Sequence, residues 1–170
     1  MLICTSPRLR MEEAHSGHSA FIFQLLNSPN WIQFLGDRKI KTEKDALGYI
    51  EQKLIGSYQQ HGLGLYIVHL LDSGKAIGLC GFVKRDKLNH PDIGFAILPK
   101  FERQGYTYEA ASALMAYGRE QLKLEEIMGV VDQGNIASQR LLEKLGLQCI
   151  GKTQLSESGK EILLYSDLVG

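Results

Sequence analysis

Gly105 and the residues around it have the types and order needed to hold an anion. They stand in the stretch from Asp92 to Ala110, DIGFAILPKFERQGYTYEA. An apolar run, Ile93–Leu98, is broken by Pro99; a polar loop, Lys100–Gln104, leads to Gly105; and Tyr106–Leu122 has helical spacing. Strand, glycine-bearing loop and helix start, in that order, make a place for phosphates. The first-turn N–H groups of a helix lack internal partners and lie at the positive end of its dipole. A glycine lets the backbone approach an anion with no Cβ in the way. One glycine motif is a weak signal, and by itself it reads equally as an ordinary strand–loop–helix corner.

Other elements must hold that corner. Residues 5–13 (TSPRLRMEE) read as a short first strand with Leu9 and Met11 alternating. Residues 17–26 and 30–35 read as short helices split by the Asn27-Ser28-Pro29-Asn30 turn. Thr42 followed by Asp45 resembles a capping box. It opens a helix to Gln60, with Ala46, Leu47, Ile50, Leu54 and Ile55 at helical spacing. The period then becomes that of strands. Leu63–Leu71 and Ala76–Lys84 are joined by Asp72-Ser73-Gly74, a hairpin signal, and His90–Leu98 is the next strand. After the helix Tyr106–Leu122 come a strand, Glu126–Val131, and a helix, Asn135–Leu145, closed by Gly146. Strands Cys149–Thr153 and Ile162–Leu168 end the chain. This order predicts an α/β (α+β) domain: a mixed, mostly antiparallel central sheet flanked by helices, with a parallel pair around the long helix.

Composition excludes several classes. The 170 residues fit one domain over 1–170, burying about two-thirds of its unfolded surface. Lys+Arg and Asp+Glu both count 19, which argues against a nucleic-acid binder held mainly by charge. No apolar run approaches membrane-spanning length. The N-terminus, MLICTSPRLR, lacks a signal-peptide core, so a cytoplasmic protein without a membrane partner is expected. Cys4, Cys80 and Cys149 are odd in number and far apart; free thiols and no metal fit that pattern.

Three segments stand out in order along the chain. They are Ser6-Pro7-Arg8-Leu9-Arg10; Gln104-Gly105-Tyr106 with Glu109-Ala110; and Asn135-Ile136-Ala137-Ser138 with Glu143-Lys144-Leu145-Gly146-Leu147. Together they resemble the GNAT superfamily of acetyl-coenzyme A-dependent N-acetyltransferases. The nearest likeness is to its RimJ/RimL-type branch, which includes enzymes acetylating ribosomal-protein N-termini. The corresponding patterns there are T-x-R-L-x-L-R, G-Q-G-Y-A-T-E-A and N-x-x-S-x-x-x-x-E-K-x-G-F.

The resemblance implies a GNAT-like fold, acetyl-CoA as co-substrate and direct transfer to a primary amine. Such an amine reacts unprotonated, a general base assists, and a fixed donor stabilises charge on the thioester oxygen. The backbone of Phe95, Ala96, Ile97 and Leu98 would pair with the pantetheine, since a strand edge offers free N–H and C=O groups. Arg103, Gln104, Gly105, Tyr106 and Thr107 would hold the pyrophosphate. Asp92 matches a catalytic carboxylate acting through one or two waters; otherwise it caps the turn after Pro91. His90 is a second candidate base, or a turn histidine. Asn135 would cap its helix and reach the cofactor, and Ser138 would donate to the phosphopantetheine or sulfur side. Both are carried as catalytic candidates. Trp31, Phe34 and Tyr66 are candidates to line the acceptor pocket, against the plainer reading of core aromatics.

The chain departs from the family in places. The pattern Q/R-x-x-G-x-G/A falls on Glu102-Arg103-Gln104-Gly105-Tyr106-Thr107, so Glu102 replaces a basic or amide residue and Thr107 a small one. Many members carry a tyrosine general acid where Leu142 stands. Ser138, a water or Tyr106 would substitute, or the thiolate would leave unassisted, a thiol having a pKa of about 8.5. These departures keep a second function open, an acyl-CoA-binding module with little or no catalysis. The expected partner is an amine, either a protein or peptide N-terminus or a small molecule, and a homodimer is compatible.

Overall fold

The computed structural model describes residues 1–35, 37–155 and 159–168, with Phe34 and Leu35 by their backbone alone. Among the described residues eight strands form one sheet: β1 (Leu2–Thr5), β2 (Leu9–Glu12), β3 (Leu65–Leu70), β4 (Ala76–Val83), β5 (Asp92–Ile97), β6 (Met128–Val131), β7 (Gln148–Gln154) and β8 (Glu161–Ser166). Their spatial order is β1-β2-β3-β4-β5-β6-β8-β7. Neighbours pair antiparallel except β5 and β6, which are parallel. The helix between these two, α5 (Tyr106–Glu120), makes the crossover a parallel pair requires. This is the mixed, mostly antiparallel sheet that the spacing predicts.

Period-two alternation gives the sheet two apolar faces. On one, Ile67 and Leu79 pack with helices α1 (Ser19–Leu26), α2 (Pro29–Leu35) and α3 (Glu43–Tyr49) and the turn after it through Ile22, Leu25, Trp31, Ala46 and Ile50, and α4 (Gly56–His61) adds the half-buried Tyr58. On the other, Met11, Val68, Phe82 and Ile93 meet α5 and α6 (Ile136–Lys144) through Ala111, Leu114 and Leu142. α6 sits close on the sheet because residue 129 is glycine: a Cβ there would lie 3.0 Å from both Leu142 methyls.

Two local readings change. Residues 5–13 are not one strand. The Ser6 N–H donates to Leu9 O at 2.9 Å, closing a turn around Pro7, and Leu2–Thr5 folds back on Leu9–Glu12 as a hairpin. Proline favours that turn and removes a ladder donor. The Thr42 capping box forms as the sequence predicts, Thr42 Oγ1 accepting from the Asp45 N–H at 3.1 Å. The helical run it opens then passes through a π-helical turn, Ile50–Ile55, before α4.

Candidate active site

The sheet splits where β5 leaves β6. The Met128 N–H donates to Pro91 O at 2.9 Å. Among the described residues the parallel ladder runs no further than Asp92 opposite Met128. On its other edge β5 stays paired with β4 through Ile97 opposite Gly78, and the Leu98 N–H donates to Ile77 O at 2.9 Å. In an antiparallel ladder the bonding direction alternates along the strand. Ala96 and Leu98 therefore bond toward β4, and Phe95 and Ile97 turn their N–H and C=O groups toward the opening. The four-residue edge expected from sequence reduces to these two residues.

At the wide end of the opening lies the Gly105 turn. Gly105 is the N-cap of α5 with φ 81°, a left-handed conformation that glycine adopts without a steric penalty. Arg103 has φ 62°, unusual for a residue with a Cβ. Arg103, Gln104 and Gly105 are all exposed. The turn presents free backbone N–H groups at the start of a 15-residue helix, which is the physical requirement for anion binding. Tyr106 and Thr107 line a small gap between the first turn of α5 and strands β4 and β5, with Gly78, Ala96 and Ile97. Glu102 is tied away: its carboxylate accepts from Asn30 Nδ2 of α2 at 2.6 Å.

Across the opening, β6 leads into α6. Asn135 caps the helix, its Oδ1 accepting from the Ser138 N–H at 3.2 Å. The turn before it is braced by Asp132, which accepts from the Gly134 N–H at 2.7 Å and pairs with Lys160. Gln139 Nε2 adds bonds to the carbonyls of Asp132 and Gln133 at 3.2 and 2.9 Å. The Asn135 and Ser138 side chains are half-buried.

Several candidates sit elsewhere than their assigned roles need. Asp92 is 1% exposed, and Arg85 donates to both its oxygens at 2.8 and 3.4 Å. Burial raises its pKa and the Arg85 guanidinium pulls the other way. It lies at the closed end of the split, five residues or about 16 Å from Ile97 along the strand, too far for one or two waters. Asp92 is thus a buried partner of Arg85 rather than the solvated end of a strand. Tyr66 is 1% exposed and stacked on Tyr58 at 5.4 Å. Trp31 is 5% exposed, packed under the helical layer. Both are buried, Tyr66 in the core under α5 and Trp31 in the core under α1 and α3. The Phe34 side chain lies outside the described residues. Leu142, at the position of the missing tyrosine, is 1% exposed and packs on the sheet. His90 lies 3.4 Å from Glu126, at the closed end with Asp92.

Sequence reasoning passed over two groups. Arg8, Ser6 and Glu109 converge at the start of α5 through bonds of 2.5 to 2.9 Å. The motif match named these residues, but nothing in their spacing shows that they touch. The second group is Glu12, His15 and His18, whose ligand-type atoms lie within 4.8 Å of one another. His15 Nδ1 accepts from the Gly17 N–H at 3.0 Å and His18 Nδ1 from the His15 N–H at 3.1 Å. In a neutral ring whose Nδ1 accepts, Nε2 carries the proton, and His18 Nε2 lies 3.6 Å from a Glu12 oxygen.

A family model described as an acetyltransferase (GNAT) domain matches residues 8–148. The chain belongs to the GNAT acetyltransferase family. An uncharacterized N-acetyltransferase of Bacillus subtilis, YoaA, is 28% identical over 147 residues, 86% of this chain and 82% of that one. Among solved structures, the Salmonella typhimurium acetyl transferase that modifies the N-terminal serine of 50S ribosomal subunit protein L7/L12 superposes with a TM-score of 0.82. It is 17% identical, with 100% of both chains covered. RimL, the ribosomal L7/L12 alpha-N-protein acetyltransferase, solved with coenzyme A, gives a TM-score of 0.83 at 17% identity, covering 98% of this chain and 97% of that one. At such identities these likenesses speak for the fold.

Proposed function

We propose that this chain moves the acetyl group of acetyl-CoA directly to a primary amine. The observation that carries the reading is the split between β5 and β6 with the Gly105 turn at its mouth. An extended chain of amides ending in a diphosphate fits that pair of features. The Phe95 and Ile97 backbone groups would continue the ladder into the pantetheine, and the Gly105 turn would receive the diphosphate. Arg103, exposed beside it, supplies a cation. The bound acyl carrier supplies an activated thioester: its C–S bond breaks as the C–N bond forms, and the amine's proton passes to the thiolate.

The protein's contribution is to align these groups. A backbone N–H at the opening would donate to the carbonyl oxygen as charge develops there. The Asn135 amide and Ser138 hydroxyl, at the start of α6, would serve the sulfur side. With Asp92 sealed, the amine enters as its unprotonated fraction. The acceptor class proposed is a protein or peptide N-terminus, whose α-amino pKa of about 8 leaves more free base at neutral pH than a lysine has. The ribosomal-protein acetyltransferases among the structural neighbours act on that class.

The test is thiol release from acetyl-CoA with a panel of N-terminal peptides and small amines. Turnover with a peptide, lost in Asn135→Ala, supports the reading. The core position of Leu142 and the buried Asp92 favour one rival, an acyl-CoA-binding module. Tight cofactor binding without turnover for any amine would establish it instead.

A further inference from the structure

We propose that Arg8 is a positioning residue for the diphosphate turn, acting by cancelling the charge of Glu109 and fixing the Gln104 peptide. This rests on the reading of the Gly105 turn as the phosphate site. Glu109 is in the first turn of α5. A carboxylate there suits the helix dipole when the end is solvated, but it repels a diphosphate bound at the same N-terminus. Here the charge is covered. Glu109 Oε1 accepts from Arg8 Nε at 2.7 Å. Oε2 accepts from the Arg8 backbone N–H at 2.9 Å and from Ser6 Oγ at 2.5 Å. Burial works against ionisation, yet the Ser6 hydroxyl and Arg8 hold this carboxyl below its usual range, so it is an anion at neutral pH.

The same guanidinium reaches the turn. Arg8 Nη1 donates to Gln104 O at 3.0 Å, and its carbon lies 4.3 Å from the centre of the Tyr106 ring. In a trans peptide the C=O and the following N–H point in opposite directions. The chain has no cis bonds among the described residues. Holding Gln104 O toward Arg8 thus turns the Gly105 N–H away from it. The hairpin β1–β2 is what carries Arg8 to this place, which gives that hairpin a task beyond closing the sheet edge. A half-exposed pair such as Arg8–Glu109 contributes little to stability, so its effect should fall on phosphate binding.

The experiment titrates the full chain calorimetrically with coenzyme A and, separately, with pantetheine, which lacks the diphosphate. Arg8→Gln is expected to weaken coenzyme A binding about tenfold and leave pantetheine binding unchanged. Raising salt from about 0.05 to 0.5 M should shrink the deficit by screening Glu109. Arg8→Gln with Glu109→Gln should bind coenzyme A more tightly than Arg8→Gln alone, because the exposed anion is gone. Glu109→Gln by itself should bind at least as well as wild type, and this variant decides the matter if Arg8→Gln folds poorly. Equal loss toward both ligands, a double variant no better than Arg8→Gln, or weakened binding in Glu109→Gln would each overturn the proposal. Wild type failing to bind coenzyme A would overturn the functional reading beneath it; wild-type binding with an unaffected Arg8→Gln would overturn only this inference.

Discussion

At residue scale, Gly105 meets two demands at once. Its φ of 81° disfavours a side chain, and a Cβ would lie 3.3 Å from Arg8 Nη2. Gly105→Val is expected to weaken acetyl-CoA binding by at least about tenfold, since about 1–2 kcal/mol of backbone strain is relieved by reshaping the turn. Calorimetry of the variant would check it, and unchanged affinity would count against the phosphate turn. Asn135→Ala should lower stability by about 1 kcal/mol through the lost cap, read by urea denaturation. Both residues were legible in the sequence because their roles are local: a glycine before a helix and an Asn at a helix start. The Arg8–Glu109 contact was not, because it joins residues 101 apart and no spacing rule spans that distance. The burial of Asp92 was not legible either, because its type signals charge while its surroundings are set by β4, β6 and Arg85.

At the scale of elements, the strands and helices followed their hydrophobic periods. What the period could not give was the registry of β5 on β6. A one-position parallel ladder depends on where the crossover helix returns the chain. The π-helical turn at Ile50–Ile55 was likewise invisible, since Ile50, Leu54 and Ile55 fit an ordinary helix equally well. The placement of Leu142 leads to a clear expectation. As a buried side chain against Gly129, its truncation to alanine should cost about 2–4 kcal/mol of stability. Turnover per folded molecule should stay near wild type. Guanidinium denaturation beside kinetics would separate the two; lost turnover at unchanged stability would place this position in the chemistry.

At the scale of the molecule, one sheet consists of two halves joined at Asp92 and Met128. The strands β1–β5 carry the turn and the free edge, and β6, β8 and β7 carry the facing helix. The acid limb of stability should come from the other side, where α1 begins. His18 has its pKa lowered to about 4, first by burial and then by His15, with Glu12 opposing. An unfolded histidine titrates near 6.5. Between these values the unfolded chain binds more protons, so stability is full above about pH 6.5 and falls as pH drops toward 4. The loss is on the order of 2–3 kcal/mol. A melting series against pH should show this fall, and His18→Asn should flatten it; an identical slope in the variant would assign the limb elsewhere.

The central claim is that the split exposes Phe95 and Ile97 to pair with an acyl carrier, and amide hydrogen exchange followed by NMR tests it most directly. In the free protein the Ala96 and Leu98 amides should exchange slowly and those of Phe95 and Ile97 fast. Saturating coenzyme A should then protect the Phe95 and Ile97 amides while leaving their neighbours unchanged. Slow exchange at all four without ligand, or fast exchange at Phe95 and Ile97 that persists at saturation, would contradict the account.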